Sequence, residues 1–168
     1  MIVSENFYYH WHPELFKNND IFECGNYGKL LNSIDLFFQH DKYLLEVQFE
    51  LFRSIYYPFK PSRFNSVFLL KNKEDALVYR KHVEVRDNKP YNRNLYTVEI
   101  IDKSKPIHIG STSLFNQYCL KGDYKKAAAC YWNSESAYLQ HDNGHLEEFA
   151  QEIIVESNIK VIAQILCV

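Results

Sequence analysis

The order of apolar periodicities along this chain predicts an α+β fold built on a mainly antiparallel sheet. Short β-branched and aromatic runs recur around Tyr9, Phe22, Phe68, Val98, Ile107, Ile154 and Val161, each bounded by turn residues. Helical periodicity separates only some of them, and the last strands follow without the alternating helices of a parallel sheet. At 168 residues, spanning 1–168, the chain forms one domain with a core that needs no covalent staples.

Phe7-Tyr8-Tyr9-His10-Trp11 is a short aromatic strand stopped by His12-Pro13. Lys17-Asn18-Asn19-Asp20 turns the chain into a small strand at 21–23, and Gly25-Asn26-Tyr27-Gly28 follows as a loop. Its glycines suit left-handed backbone, or a close approach to a ligand or to the chain itself. From about 42 to 56 the pattern predicts an amphipathic helix with Leu44, Gln48, Leu51, Phe52 and Ile55 along one stripe. Leu45 and Phe49 lie beside it, and Glu46, Glu50 and Arg53 are expected outward. Pro58 and Pro61 end it.

Residues 66–70 read as a buried strand. Lys73 to Val83 reads as a helix, with Asn72 as N-cap and Glu74 and Asp75 in the first turn. Asp87-Asn88-Lys89-Pro90 breaks the chain before strands at 95–101 and 107–109. Ser111 or Thr112 would cap a helix to about Leu120, and Asp123 another to about Trp132. Residues 134–147 read as a mobile loop. Strands at 151–155 and 160–166 are joined by Glu156-Ser157-Asn158 in what looks like a hairpin.

The net charge of −2 argues against a surface that coats nucleic acid, though not against a locally basic cleft. Cys24, Cys119, Cys130 and Cys167 have no metal-ligand or disulfide-framework spacing. With no secretory pattern at the N-terminus and no apolar run of ~18–20 residues, the expectation is a cytoplasmic protein with free thiols, no metal and no membrane association.

The stretch Gln151-Glu152-Ile153-Ile154-Val155 places a carboxylate at the start of a strand buried on both faces. Such a residue is either a solvated flank or a group pointed into a cleft. His10 is open to two readings as well, a ligand contact or a core histidine bonded to backbone. Tyr27 and Tyr79 are either ring-stacking partners or ordinary core.

Several of these pieces together resemble the small ADP-ribosyltransferase fold. Tyr9-His10-Trp11, the turn at Asn19 and Gly25-Asn26-Tyr27-Gly28 are similar to the opening of the rifampicin-modifying branch. Ser66-Val67-Phe68-Leu69 followed by Lys73–79 resembles its middle unit. Residues 95–99 resemble its Tyr-x-Val-Glu strand, and Gln151–Val155 the late strand that bears the catalytic glutamate. An uncharacterised group of bacterial proteins assigned to this fold has a similar arrangement. The resemblance implies two small, mainly antiparallel sheets around an NAD cleft, with flanking helices. It implies a mono-ADP-ribosyltransferase, free of metal, that cleaves NAD as substrate. Glu152 would be catalytic, and Tyr9, His10, Tyr27, Arg63, Ser66 and Tyr79 would shape the NAD pocket.

The chemistry agrees with those residue types. Loss of nicotinamide leaves an oxocarbenium-like ribosyl cation, which an anion stabilises, while an arginine meets the diphosphate. The acceptor would be a nucleic acid or protein and the setting a toxin or defence protein, with an antitoxin or inhibitor protein as a further partner. Two residues depart from the family pattern. Trp11 stands where a Gly follows the histidine, crowding the pocket, and Ala150 stands two before Glu152, where protein-modifying members carry Glu or Gln. Ser111-Thr112-Ser113 copies a motif of another branch but follows the 96–101 strand, so it reads as a helix cap. The competing expectations are a catalytically inactive nucleotide- or partner-binding module of the same fold, or an NAD-dependent RNA phosphotransferase. For the latter, Arg80, His82 and Arg86 are a faint echo of a phosphate site.

Overall fold

The computed structural model describes residues 7–33, 36–111, 122–134, 138–140, 146–148 and 151–165. In chain order these form β1 (Tyr8–His12), β2 (Ile21–Phe22), α1 (Asn26–Ser33), α2 (Leu36–Tyr56), β3 (Val67–Leu70) and α3 (Lys73–Asp87). Then come β4 (Asn94–Ile100), β5 (Ile107–Ser111), α4 (Tyr124–Trp132), β6 (Tyr138–Gln140), β7 (Leu146–Glu148), β8 (Gln151–Val155) and β9 (Ile159–Ile165).

The fold is α+β. One open seven-stranded sheet has the order β2-β9-β4-β1-β3-β8-β5, and β6 and β7 form a separate two-stranded pair. Every adjacent pair in the large sheet is antiparallel. The expected two small sheets are therefore a single sheet with a weak seam. Across β1 and β3 only Tyr9 and Leu70 are in register, whereas β1 and β4 share a ladder from Tyr8–Val98 to His12–Asn94.

The sheet is forced to curl at that seam. β8 and β9 stand four strand spacings apart in the order, ~19 Å if flat. Yet only Glu156, Ser157 and Asn158 join them, a reach of at most ~14 Å from Val155 to Ile159. The two halves consequently face each other across a concave surface, where Val67, Leu69, Ile153 and Val155 meet Val98, Ile100, Ile159 and Val161 in one buried cluster. The 156–158 link is thus a crossing between halves and not a hairpin. It is pinned by Ile101 N–H donating to Asn158 O, Cys24 N–H to Asn158 Oδ1 and Asp102 N–H to Ser157 Oγ.

The convex face carries the helices. Phe49 of α2 and Ala127, Ala128, Tyr131 and Trp132 of α4 pack with Ile154, while Ala76 of α3 packs with Trp11, Leu70 and Leu95. Trp11, expected to crowd a pocket, lies under α3 instead, with its Nε1–H donating 3.1 Å to Ala76 O. The helix starts follow the capping residues. Asn72 Oδ1 accepts from Asp75 N–H and Asp123 Oδ1 from Lys126 N–H. The Gly25-Asn26-Tyr27-Gly28 loop is instead the entry to α1: Gly25 has φ +79°, and a Cβ on Gly28 would meet Phe64 O at 2.5 Å. The expected 134–147 loop contains β6 and most of β7. The expected helix from 112 to 120 lies outside the described residues, and Ser111 ends β5.

α2 is the helix whose facing differs. Leu51 is 57% and Ile55 67% exposed, whereas Phe49 is fully buried and Glu46 nearly so. The inward stripe is rotated because Glu46 finds a cationic partner inside, and Phe49 fills the space beneath Tyr131, with ring centroids 5.6 Å apart. Phe49→Ala is expected to cost about 3–5 kcal/mol through its cavity, and Leu51→Ala under about 0.5. Urea unfolding of both variants checks this, and a larger loss at Leu51 would contradict the facing.

Candidate functional site

The carboxylate singled out in the sequence meets a cation on the convex face, one strand in from the β5 edge. Glu152, the second residue of β8, lies in register with Leu70 on one side and Gly110 on the other. Arg63 reaches it from the turn after α2, where Pro61 and Ser62 are buried and Asn65 N–H closes onto Ser62 O. Arg63 Nη1 donates to Glu152 Oε1 and, at 2.7 Å, to Tyr131 Oη. The Tyr131 hydroxyl in turn donates 2.6 Å to the same Glu152 oxygen. Nε and Nη2 hold Glu46 bidentately at 2.8 and 3.0 Å, and Tyr27 Oη–H donates 2.8 Å to Glu46 Oε1. Aromatic faces close the rest: the guanidinium sits 5.0 Å from the Phe68 ring centroid and 4.9 Å from that of Tyr131.

The electrostatics follow from burial. Burial opposes the Arg63 charge, but Glu152 and Glu46 outweigh it and hold the guanidinium pKa well above its ordinary value. Burial pushes the Tyr131 phenol up, against the pull of Arg63 and with help from Glu152. Tyr27 rises for the same reason, with Glu46 adding to it. Both phenols are therefore neutral donors.

A histidine completes the wall. His108 of β5 stacks on Trp132 at 4.8 Å, and its Nε2–H donates 3.0 Å to Tyr131 O. Lys60 donates to Trp132 O and lies 3.4 Å from His108 Nδ1. Next to His108 on the same face, Gly110 leaves room for Tyr131, since a Cβ there would sit 2.3 Å from a ring carbon.

The family described as "Protein of unknown function (DUF2441)" matches residues 3–166. The chain belongs to that family. No curated protein matches it.

For this family member, the fold brings together three of the residues singled out from sequence: Glu152, Arg63 and Tyr27. It does not bring in the rest. His10 lies about two strand spacings from Glu152, roughly 10 Å, but cross-strand register puts it with Tyr96 on the concave face. There it packs 4.9 Å from Phe22, and Nδ1 is 2.9 Å from Phe68 O across the seam. Tyr9 and Tyr79 pack around the Trp11–Ala76 cluster, and Ser66 is buried just before β3. Among the described residues, His10 Nε2 and Ser66 Oγ have no hydrogen-bond partner. Glu156, which follows β8, caps the 62–65 turn by accepting from Ser62 N–H at 2.5 Å. Glu46, Tyr131 and His108 were not singled out. His108 and Gly110 on one face of β5 were the available signal, since a strand that alternates His and Gly inward accommodates a bulky neighbour.

Among the described residues no group of His, Cys, Asp and Glu is placed to hold a metal ion, and no helix is long and apolar enough to cross a membrane.

Burial holds the His10 pKa at about 4 against an ordinary 6.5, and His108 likewise at about 4, with Lys60 adding to the effect. Both are neutral in the native state. Between pH 6.5 and 4 the unfolded chain takes up protons that the native chain refuses, so stability falls as pH falls and levels off below 4. His10 alone should contribute a loss of about 2–3 kcal/mol at pH 4.5 relative to pH 7. Urea midpoints at the two pH values should differ by that much or more, and His10→Gln should shrink the difference. Equal midpoints in the wild type would contradict the buried, neutral assignment.

Proposed function

We propose that this chain is an NAD-cleaving ADP-ribosyltransferase in which Glu152 is the reactive carboxylate and Arg63 the diphosphate partner. The observation that supports it is how Arg63 divides its donors. Nε and Nη2 stay on Glu46, and only Nη1 is spent on Glu152 and Tyr131. Glu152 is also the outermost of the three charged members, with its side chain 14% exposed against 8% for Arg63 and 3% for Glu46.

A ligand carrying both a diphosphate and an incipient ribosyl cation can exchange with this pair. The diphosphate takes Nη1, and the released carboxylate faces the ribose. The C1′–N bond then breaks with its electron pair leaving on nicotinamide. An acceptor oxygen or nitrogen bonds to C1′ and gives its proton to solvent. The acceptor is a nucleic acid or a protein, the reaction uses no metal, and the setting is a toxin or defence role with an inhibitor protein as counterpart. Tyr27 and Tyr131 position the two carboxylates, and His10 serves the seam.

A second reading, a nucleotide- or partner-binding module without turnover, is favoured by one observation. His10, which the family resemblance puts beside the ligand, faces away from Glu152. Thermal unfolding with millimolar NAD separates the readings from neither. Binding should raise the midpoint, since a ligand at 100 times its Kd adds about 2.7 kcal/mol. Protection together with nicotinamide release supports the transferase, and protection alone the module. No protection at several millimolar NAD would overturn both.

A further inference from the structure

A polar cavity of about 440 Å³ lies away from Glu152, where the start of β4 and the end of β9 meet α3 and the 91–93 link. Arg80, Tyr91, Asn92, Arg93, Asn94 and Gln164 line it, and among the described residues no carboxylate does. Arg80 is met by the Glu84 carboxylate, whereas Arg93 forms no ion pair among the described residues, so the cavity keeps one uncompensated guanidinium in a chain of net charge −2.

Each group is held. Arg80 is kept on α3 by Glu84 at 3.0 Å, and the same carboxylate oxygen accepts from Tyr91 N–H, tying the 91–93 link to the helix. Arg93 lies over the Tyr91 ring at 5.5 Å and forms no ion pair among the described residues. Gln164 Nε2–H donates 3.2 Å to Asn94 Oδ1, which orients both amides across the β4–β9 ladder. β4 is three strand spacings from β8, about 14 Å, and Ala76 of α3 packs over the strands between them. The cavity is therefore separate from the Arg63–Glu152 cluster.

We propose that this cavity binds a phosphate monoester of a hydroxyl-bearing small molecule, with the phosphoryl group between Arg93 and Arg80. Guanidinium donors match phosphate oxygens in pairs, and the volume exceeds what a bare phosphate fills, leaving the Asn92 and Gln164 amides for sugar hydroxyls. The site does not depend on NAD cleavage.

Calorimetric titration of the full chain at low ionic strength, with AMP as probe, tests it. AMP should bind, adenosine should not, and inorganic phosphate should bind at least about tenfold more weakly than AMP. Arg93→Gln, an exposed position, should weaken AMP by about 10–100-fold, while Lys105→Gln leaves it unchanged. Absence of AMP binding, unchanged affinity in Arg93→Gln, or phosphate binding as tightly as AMP would each overturn the assignment.

Discussion

Arg63→Met is expected to remove about 3–5 kcal/mol of folding stability, as much as the cavity left by Phe49→Ala. Methionine approximates the volume and keeps contact with the Phe68 and Tyr131 rings, so cavity formation is a minor part. The loss comes from Glu46 and Glu152, which lose their shared cation while remaining enclosed by Phe49, Tyr131 and the sheet. Arg63→Lys should recover little, because an ammonium cannot hold Glu46 through two nitrogens while reaching Glu152 with a third. Adding Glu46→Gln to Arg63→Met should restore part of the loss by removing one uncompensated charge. Urea denaturation of the three variants gives the numbers. A cost below about 1 kcal/mol for Arg63→Met would mean that the carboxylates reach water, and would dissolve the cluster as a preorganised site.

Glu152→Gln is expected to lower turnover of NAD by ~10²–10³ while leaving folding within about 1–2 kcal/mol of wild type. Glutamine keeps the size and still accepts from Arg63 and Tyr131, and Arg63 retains Glu46 as its anionic partner. What disappears is the charge opposite the ribosyl cation, so the loss should fall on kcat and spare NAD affinity. Glu156, closing the same strand, holds Ser62 N–H, so Glu156→Gln would disturb the turn that carries Arg63. Glu99, half-buried on β4 and paired with Lys103 and Lys160, is the better carboxylate control.

What could be read from the residues was local. Asn72 and Asp123 were legible as caps because a short acceptor before a helix has few other uses, and Ile153-Ile154-Val155 as a doubly buried strand because nothing polar interrupts it. The facing of α2 was not legible. Leu51 and Ile55 carry the apolar pattern, and only the guanidinium of Arg63, distant in sequence, makes an inward Glu46 favourable. The same limit applies to Glu156-Ser157-Asn158, whose turn chemistry suits a hairpin although the sheet order carries β9 to the far half. In the candidate site, Glu152, Arg63 and Tyr27 were nameable individually. Their convergence depends on Tyr131, which arrives from α4 and is admitted by Gly110. His10 was misplaced relative to Glu152 because strand alternation fixes a face only once the register across the seam is known.

The measurement that bears most directly on the proposed chemistry is release of nicotinamide from NAD by the purified chain. It is followed by chromatography with separate protein, RNA and DNA pools present, and Glu152→Gln and Glu99→Gln are run alongside. The account predicts release by wild type and Glu99→Gln, transfer of label from adenine-labelled NAD to one of the pools, and release reduced by at least ~10² in Glu152→Gln. Release that is absent from the wild type, or equal in wild type and Glu152→Gln, would contradict it.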